Sequence, residues 1–126
     1  MKLTRNFTDD EFRCPCCGKF VDSLPFRAFL ARLQDARHIA GIPFVITSGY
    51  RCPEHNSVVG GKTDSSHLKG IAADIRAHIA SERFAIINGL IKAGFERFGI
   101  GRDFVHVDTD MSKPSRLIWI YEDSRS

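Results

Sequence analysis

The chain has 126 residues, enough for one domain with a real core and too few for two. An apolar content of 43% against 26% charged residues is that of a globular protein, and no run reaches the length of a membrane span. The net charge of +3 comes without any Lys/Arg cluster interleaved with aromatics. This argues against nucleic acid and favours weak attraction to anionic polymers such as cell-wall material.

Residues Met1 to Thr8 carry no apolar stretch of a secretory signal, so synthesis in a cytoplasm without a signal peptide is expected. Thr8-Asp9-Asp10-Glu11 has the spacing of a capping box and predicts a short helical turn. An irregular loop with Cys14, Cys16, Cys17 and Gly18 follows. Ser23 and Pro25 then open a helix to about Ala40, with Phe26, Leu30, Leu33 and Ala40 on its apolar stripe and Gly41 at its end. Phe44 to Thr47 reads as a strand. Residues 48 to 70 are rich in Gly, Ser, Asn and Pro and read as one long loop, a feature that is usually functional.

Ala72 to Ala77 reads as a strand. Ser81 is the expected cap of a second helix that turns Phe84, Ile87 and Ile91 inward and ends at Gly94. Segments 98 to 101, 104 to 108 and 117 to 121 are β-branched and aromatic and read as strands, with Trp119 in the core or on the floor of a cleft. The elements are mixed rather than strictly alternating. The expected fold is therefore α+β, a single domain over 1–126 with an antiparallel sheet flanked by helices.

Ser66-His67-Leu68-Lys69-Gly70-Ile71-Ala72-Ala73-Asp74 carries the pattern S-x-H-x-x-G-x-A-x-D, and Phe104-Val105-His106-Val107-Asp108 brings a second imidazole. Two His and one Asp are suitable ligands for a catalytic zinc that keeps one position open. His106 and Asp108 share a strand face, so Asp108 competes for the role of base or orients a ligand imidazole. Ser66 is read as hydrogen-bonding locally and lining the substrate pocket. Gly60-Gly61-Lys62-Thr63 lacks the first glycine of a phosphate loop, because Asn56 stands there. Gly99-Ile100-Gly101 lacks the third glycine of a dinucleotide fingerprint, because Phe104 stands there.

The four cysteines leave three states open. Cys14, Cys17, Cys52 and His55 have the spacing of a closed structural zinc site, with Cys16 left over. A cysteine of the first cluster could instead pair with Cys52 as a disulfide, or all four could be plain thiols.

Taken with Ser48-Gly49-Tyr50-Arg51, the two His motifs resemble the zinc D-alanyl-D-alanine carboxypeptidases, a family of bacterial and phage cell-wall peptidases sharing its fold with the hedgehog signalling domain. The resemblance is specific over Phe44 to Tyr121 and looser back to Phe7. It implies zinc ligands at His67, Asp74 and His106, and a general base three positions before the last His, at Asp103. A carboxylate there takes a proton from the attacking water and hands it to the leaving amine. Because strand alternation alone would turn Asp103 the other way, this role requires a bend near Gly101 to Phe104. The resemblance further implies that Arg51 contacts the substrate's carbonyl or terminal carboxylate, with Tyr50 lining the same cleft or packing.

The expected function is thus a monomeric zinc metallopeptidase that hydrolyses amide bonds in peptidoglycan peptides. It would be a D-Ala-D-Ala carboxypeptidase or an endolysin-type endopeptidase, reaching the wall once released by another protein. The alternative is a non-catalytic zinc-containing binding module of the same fold.

Overall fold

The computed structural model describes residues 1–122. A 3-10 turn at Asp9–Phe12 is followed by α1 (Leu24–Ala40), β1 (Ile46–Ser48), α2 (Pro53–Val58), a second 3-10 turn (Ser66–Lys69), β2 (Ala72–Arg76), α3 (Ala80–Lys92), β3 (Arg97–Ile100), β4 (Phe104–Asp108) and β5 (Leu117–Ile120). The sheet runs β1-β2-β4-β3-β5. Its first three pairings are antiparallel and β3–β5 is parallel, so the α+β expectation holds with a mostly antiparallel sheet.

The local signals explain most of these elements. Glu11 accepts the Thr8 N–H at 2.9 Å and closes the first turn. Ser23 accepts the Phe26 N–H at 3.2 Å at the start of α1, and Gly41 ends that helix in the left-handed region. Phe26, Phe29, Leu30, Leu33 and Ala36 face the core, while Ala40 is only half-buried.

Two expectations need correction. The helix α3 begins at Ala80, before Ser81. Glu82 accepts the N–H groups of His78 and Ile79, so an acidic side chain caps it without a serine. Its inward face is Ile86, Gly89 and Leu90, whereas Phe84 is 73% exposed and Ile91 52%. Apolar residues occur on both sides of this helix, so periodicity alone leaves its rotation undecided. Close approach to α1 decides it: a Cβ at Gly89 would lie against the carbonyl of Ala36. The long loop at 48–70 also contains α2, opened by Pro53.

Strand alternation separates core from site. Ala73, Ile75, Val105 and Val107 point into the core beside α1 and α3. Burying such side chains is worth roughly 25 cal/mol per Å² of apolar surface, which fixes this side of the sheet against the helices. Asp74, His106 and Asp108 therefore lie on the opposite face. There Ser48 pairs with Asp74, Asp74 with His106, His106 with Gly99 and Gly99 with Trp119, so one row of residues crosses all five strands.

Candidate active site

The row places Asp74 and His106 side by side. His67 joins them from the second 3-10 turn, which Gly70 terminates at φ 74° with its N–H on the His67 carbonyl. This accounts for the glycine three residues after the histidine in the motif. The donor atoms of His67, Asp74 and His106 all lie within 4.8 Å of one another, and all three residues are buried. His67 Nε2 is 3.2 Å and His106 Nδ1 3.0 Å from the same oxygen, Asp74 Oδ1.

The outer partners fix the protons. His67 Nδ1 lies 2.7 Å from the Gly49 carbonyl, which can only accept, so Nδ1 carries the hydrogen. Burial lowers the pKa of His67 against the pull of the Asp74 carboxylate and so favours the neutral ring. Its Nε2 lone pair then faces a carboxylate oxygen, acceptor against acceptor. On the other side His106 Nε2 lies 2.7 Å from Asp108 Oδ2 and donates to it, leaving Nδ1 for the centre. Burial opposes charge on His106, but the carboxylates of Asp108 and Asp74 outweigh it and raise its pKa. A metal bound at Nδ1 would displace any proton held there. Asp74 is pushed up by burial, yet His67 and His106 hold it far below the usual carboxylate range. Two nitrogens and a carboxylate oxygen aimed at one point, each backed by an outer hydrogen bond, fit a divalent cation such as zinc.

Asp108 is committed on both oxygens. Oδ1 accepts from Arg97 Nε at 2.6 Å and from the Asp110 N–H at 3.0 Å, while Oδ2 holds His106. Arg97 also donates to the Pro114 carbonyl and lies over the Trp119 ring. This geometry makes Asp108 the group that orients His106. Asp103 stands exposed on the bend between β3 and β4. Its carboxylate makes no hydrogen bond or ion pair with the other site residues among those described. Its backbone carbonyl accepts the Ala77 N–H at 2.8 Å.

Arg51 is buried beside the centre. Nη2 is 3.4 Å from Asp74 Oδ2, Nε donates to Ser48 Oγ at 3.0 Å, and Nη1 donates to Asn56 Oδ1 at 3.3 Å. Ser66 Oγ donates to Asp110 Oδ2 at 2.7 Å and accepts from Lys113 Nζ at 3.1 Å, and it lines the cleft. Tyr50 is half-buried, and burial, with the charges of the Cys17, Cys52 and Cys14 thiols, raises its phenol pKa.

A cleft of about 700 Å³ opens beside His106, walled by Ser66, Trp119, Tyr121, Asp64 and Glu122. The Trp119 ring lies 5.6 Å from that of His106 and the Tyr121 ring 6.3 Å, so Trp119 is cleft wall and not core. Gly99 permits this, because a Cβ there would sit 2.5 Å from Trp119 Nε1 and from Tyr121 Cε2. Burial, with the Asp74 and Asp108 charges, pushes Tyr121 up to about 12, so it stays a neutral phenol able to donate. Neither Tyr121 nor Gly99 carries a sequence signal for this role. Only the parallel pairing of β5 on β3 brings them to His106.

The cysteines form a second cluster. The sulfurs of Cys14, Cys17 and Cys52 lie within 4.8 Å of one another, with Cys14 and Cys52 3.6 Å apart and unbonded. His55 is outside this trio, and its backbone N–H donates to Cys52 Sγ at 3.4 Å. Burial pushes the Cys14 thiol up, but backbone N–H groups of Cys52, Cys17 and Cys16 aimed at its sulfur bring it down to about 7.

Residues 5–108 match the family Peptidase M15. That span includes all three candidate ligands, and the chain belongs to this family of peptidases. No curated protein matches the chain. Among the described residues, no helix is long and apolar enough to cross a membrane.

Proposed function

We propose that the protein is a zinc metallopeptidase that hydrolyses amide bonds in peptidoglycan peptides, as a D-Ala-D-Ala carboxypeptidase or an endolysin-type endopeptidase. The observation that supports the metal is the convergence of His67 Nε2 and His106 Nδ1 on one oxygen, Asp74 Oδ1, beside the open cleft. Zinc held by His67, Asp74 and His106 would polarise the scissile carbonyl and make water a competent nucleophile near neutral pH.

The chain's own residues supply the rest. The Gly49 carbonyl and Asp108 lock the two imidazoles in complementary tautomers. Arg51 balances the charge of Asp74 and offers a guanidinium to the substrate's carbonyl or carboxylate. Asp103, unencumbered at the bend, carries the proton from water to the leaving amine, since Asp108 is already engaged on both oxygens. Trp119, Tyr121 and Ser66 wall the peptide's place. The net charge of +3 suits an anionic wall polymer.

The test is release of new amino groups from purified peptidoglycan by zinc-loaded protein, with His67→Ala and Asp103→Asn controls. Activity is expected to vanish in the first and to fall about 100-fold or more in the second. Intact wall after incubation with the loaded protein would refute the enzyme and leave the binding module. Full activity in Asp103→Asn would move the base to a carboxylate that lines the cleft, Asp64 or Glu122.

A further inference from the structure

Peptide hydrolysis uses none of the four cysteines, yet the fold gathers three of their sulfurs, those of Cys14, Cys17 and Cys52, within 4.8 Å of one another. Cys14 to Gly18 forms a tight turn, closed by the Gly18 N–H on the Cys14 carbonyl and the Cys14 N–H on the Lys19 carbonyl, both at 2.8 Å. This turn faces Cys52, which follows Arg51 in the chain.

We propose that Cys14, Cys16, Cys17 and Cys52 form a closed structural zinc site, separate from the His67, Asp74 and His106 centre, that fastens the N-terminal segment to the loop carrying Arg51. Spacing is the first argument. Tetrahedral zinc with bonds to sulfur of ~2.3 Å sets its sulfurs about 3.8 Å apart, close to the 3.6 Å between Cys14 and Cys52. A disulfide requires about 2.05 Å and would leave two thiols of the cluster unused.

The second argument is the fourth ligand. Three sulfurs, those of Cys14, Cys17 and Cys52, already lie within 4.8 Å of one another, and Cys16 sits between Cys14 and Cys17 in the same turn with its side chain exposed, which leaves it as the remaining thiol to close the site. The C-x-x-H spacing that suggested His55 has another use, since the group it delivers to the Cys52 sulfur is the His55 backbone N–H. The third argument is the set of N–H donors around the sulfurs. The Cys52 N–H points at Cys14 Sγ at 3.5 Å and the His55 N–H at Cys52 Sγ at 3.4 Å, and such donors stabilise thiolates of the kind zinc binds.

The site lies beside functional backbone. Tyr50 N–H donates to the Phe12 carbonyl at 3.0 Å and Arg51 N–H to the His67 carbonyl at 3.2 Å, so the same strap holds the N-terminal turn, Arg51 and a candidate ligand. Zinc at the thiolates therefore acts on Arg51 through the position of its loop.

Metal analysis and cobalt spectroscopy of the full chain test this. Protein purified without chelator should hold about two zinc per chain, and His67→Ala/His106→Ala should retain about one. Cobalt-loaded protein should show an intense thiolate-to-cobalt charge-transfer band in the near ultraviolet, which His and Asp ligands cannot produce. That band should persist in the double His variant and weaken in Cys16→Ser but not in His55→Ala. Stripping this metal with a mercurial should lower the melting temperature by on the order of 10 °C. Absence of the band in folded wild-type protein, or four freely titrating thiols in the zinc-replete state, would overturn the site. An undiminished band in Cys16→Ser would overturn the fourth ligand. Loss of zinc from the histidine centre alone would instead refute the proposed catalytic metal.

Discussion

Replacing Asp108 by Asn keeps the size of the side chain and removes its charge. The carboxylate now accepts from His106 Nε2 at 2.7 Å, Arg97 Nε at 2.6 Å and the Asp110 N–H at 3.0 Å. An amide has one accepting oxygen, so its NH₂ must face either the imidazole N–H or the guanidinium, donor against donor. If the NH₂ meets His106, the ring is driven toward the other tautomer and Nδ1 loses its lone pair for the metal. Loss of an outer carboxylate of this kind costs about 10–100-fold in metal affinity, or roughly 1.4–2.7 kcal/mol. In either orientation Arg97 loses its charged partner at the buried end, and a hydrogen bond between charged groups, worth about 1.5–3 kcal/mol, is weakened or broken. The metal-free variant should therefore melt about 5–12 °C lower. Zinc affinity measured by competition with a chromophoric chelator, and thermal unfolding in EDTA, check the two effects separately. Zinc affinity within twofold of the parent would refute the tautomer argument, whatever the melting temperature does.

In Gly99→Ala the new Cβ would meet Trp119 and Tyr121 at 2.5 Å, so overpacking should cost about 1–3 kcal/mol and push both rings off His106. Zinc should still bind, because no ligand is touched, while kcat/KM falls at least about tenfold; a variant with parental kcat/KM would show that these rings do not shape the cleft. Asp74 and Asp108 have lowered pKa values in the fold, so their contribution to stability is present above the ordinary carboxylate value and is lost as pH falls below about 4. Urea unfolding in EDTA should show that loss, and a flat profile from pH 6 to 3 would contradict it. Zinc affinity should fall earlier in the descent, as protons compete first for His106, whose pKa is raised above the ordinary imidazole value of about 6.5, and then for His67, whose pKa is lowered below it. Equal affinities at pH 5 and 7.5 would rule out imidazole ligation.

Much of the candidate metal centre was legible in the chain. His67, Gly70 and Asp74 lie within one short stretch, where a glycine-ended turn followed by a strand brings them together through local geometry. His106 and Asp108 were legible because alternation puts both on one strand face. The sequence left the roles of Asp103 and Asp108 open, and only the fold brings Arg97 onto one oxygen of Asp108 while His106 holds the other. The rotation of α3 was also undecided, since apolar residues lie on both sides of it and only packing at Gly89 chooses between them. By itself, then, the sequence determined what depends on residues close in the chain: the ligand types, the strand alternation and most of the element ends. Tertiary structure decided what depends on strand order. The parallel docking of β5 beside β3 puts Trp119 and Tyr121 over His106 in the space left by Gly99, and the fold brings Cys52 to the N-terminal cysteines across 38 residues. Such contacts are set by how whole elements bury their apolar faces, which no local spacing encodes.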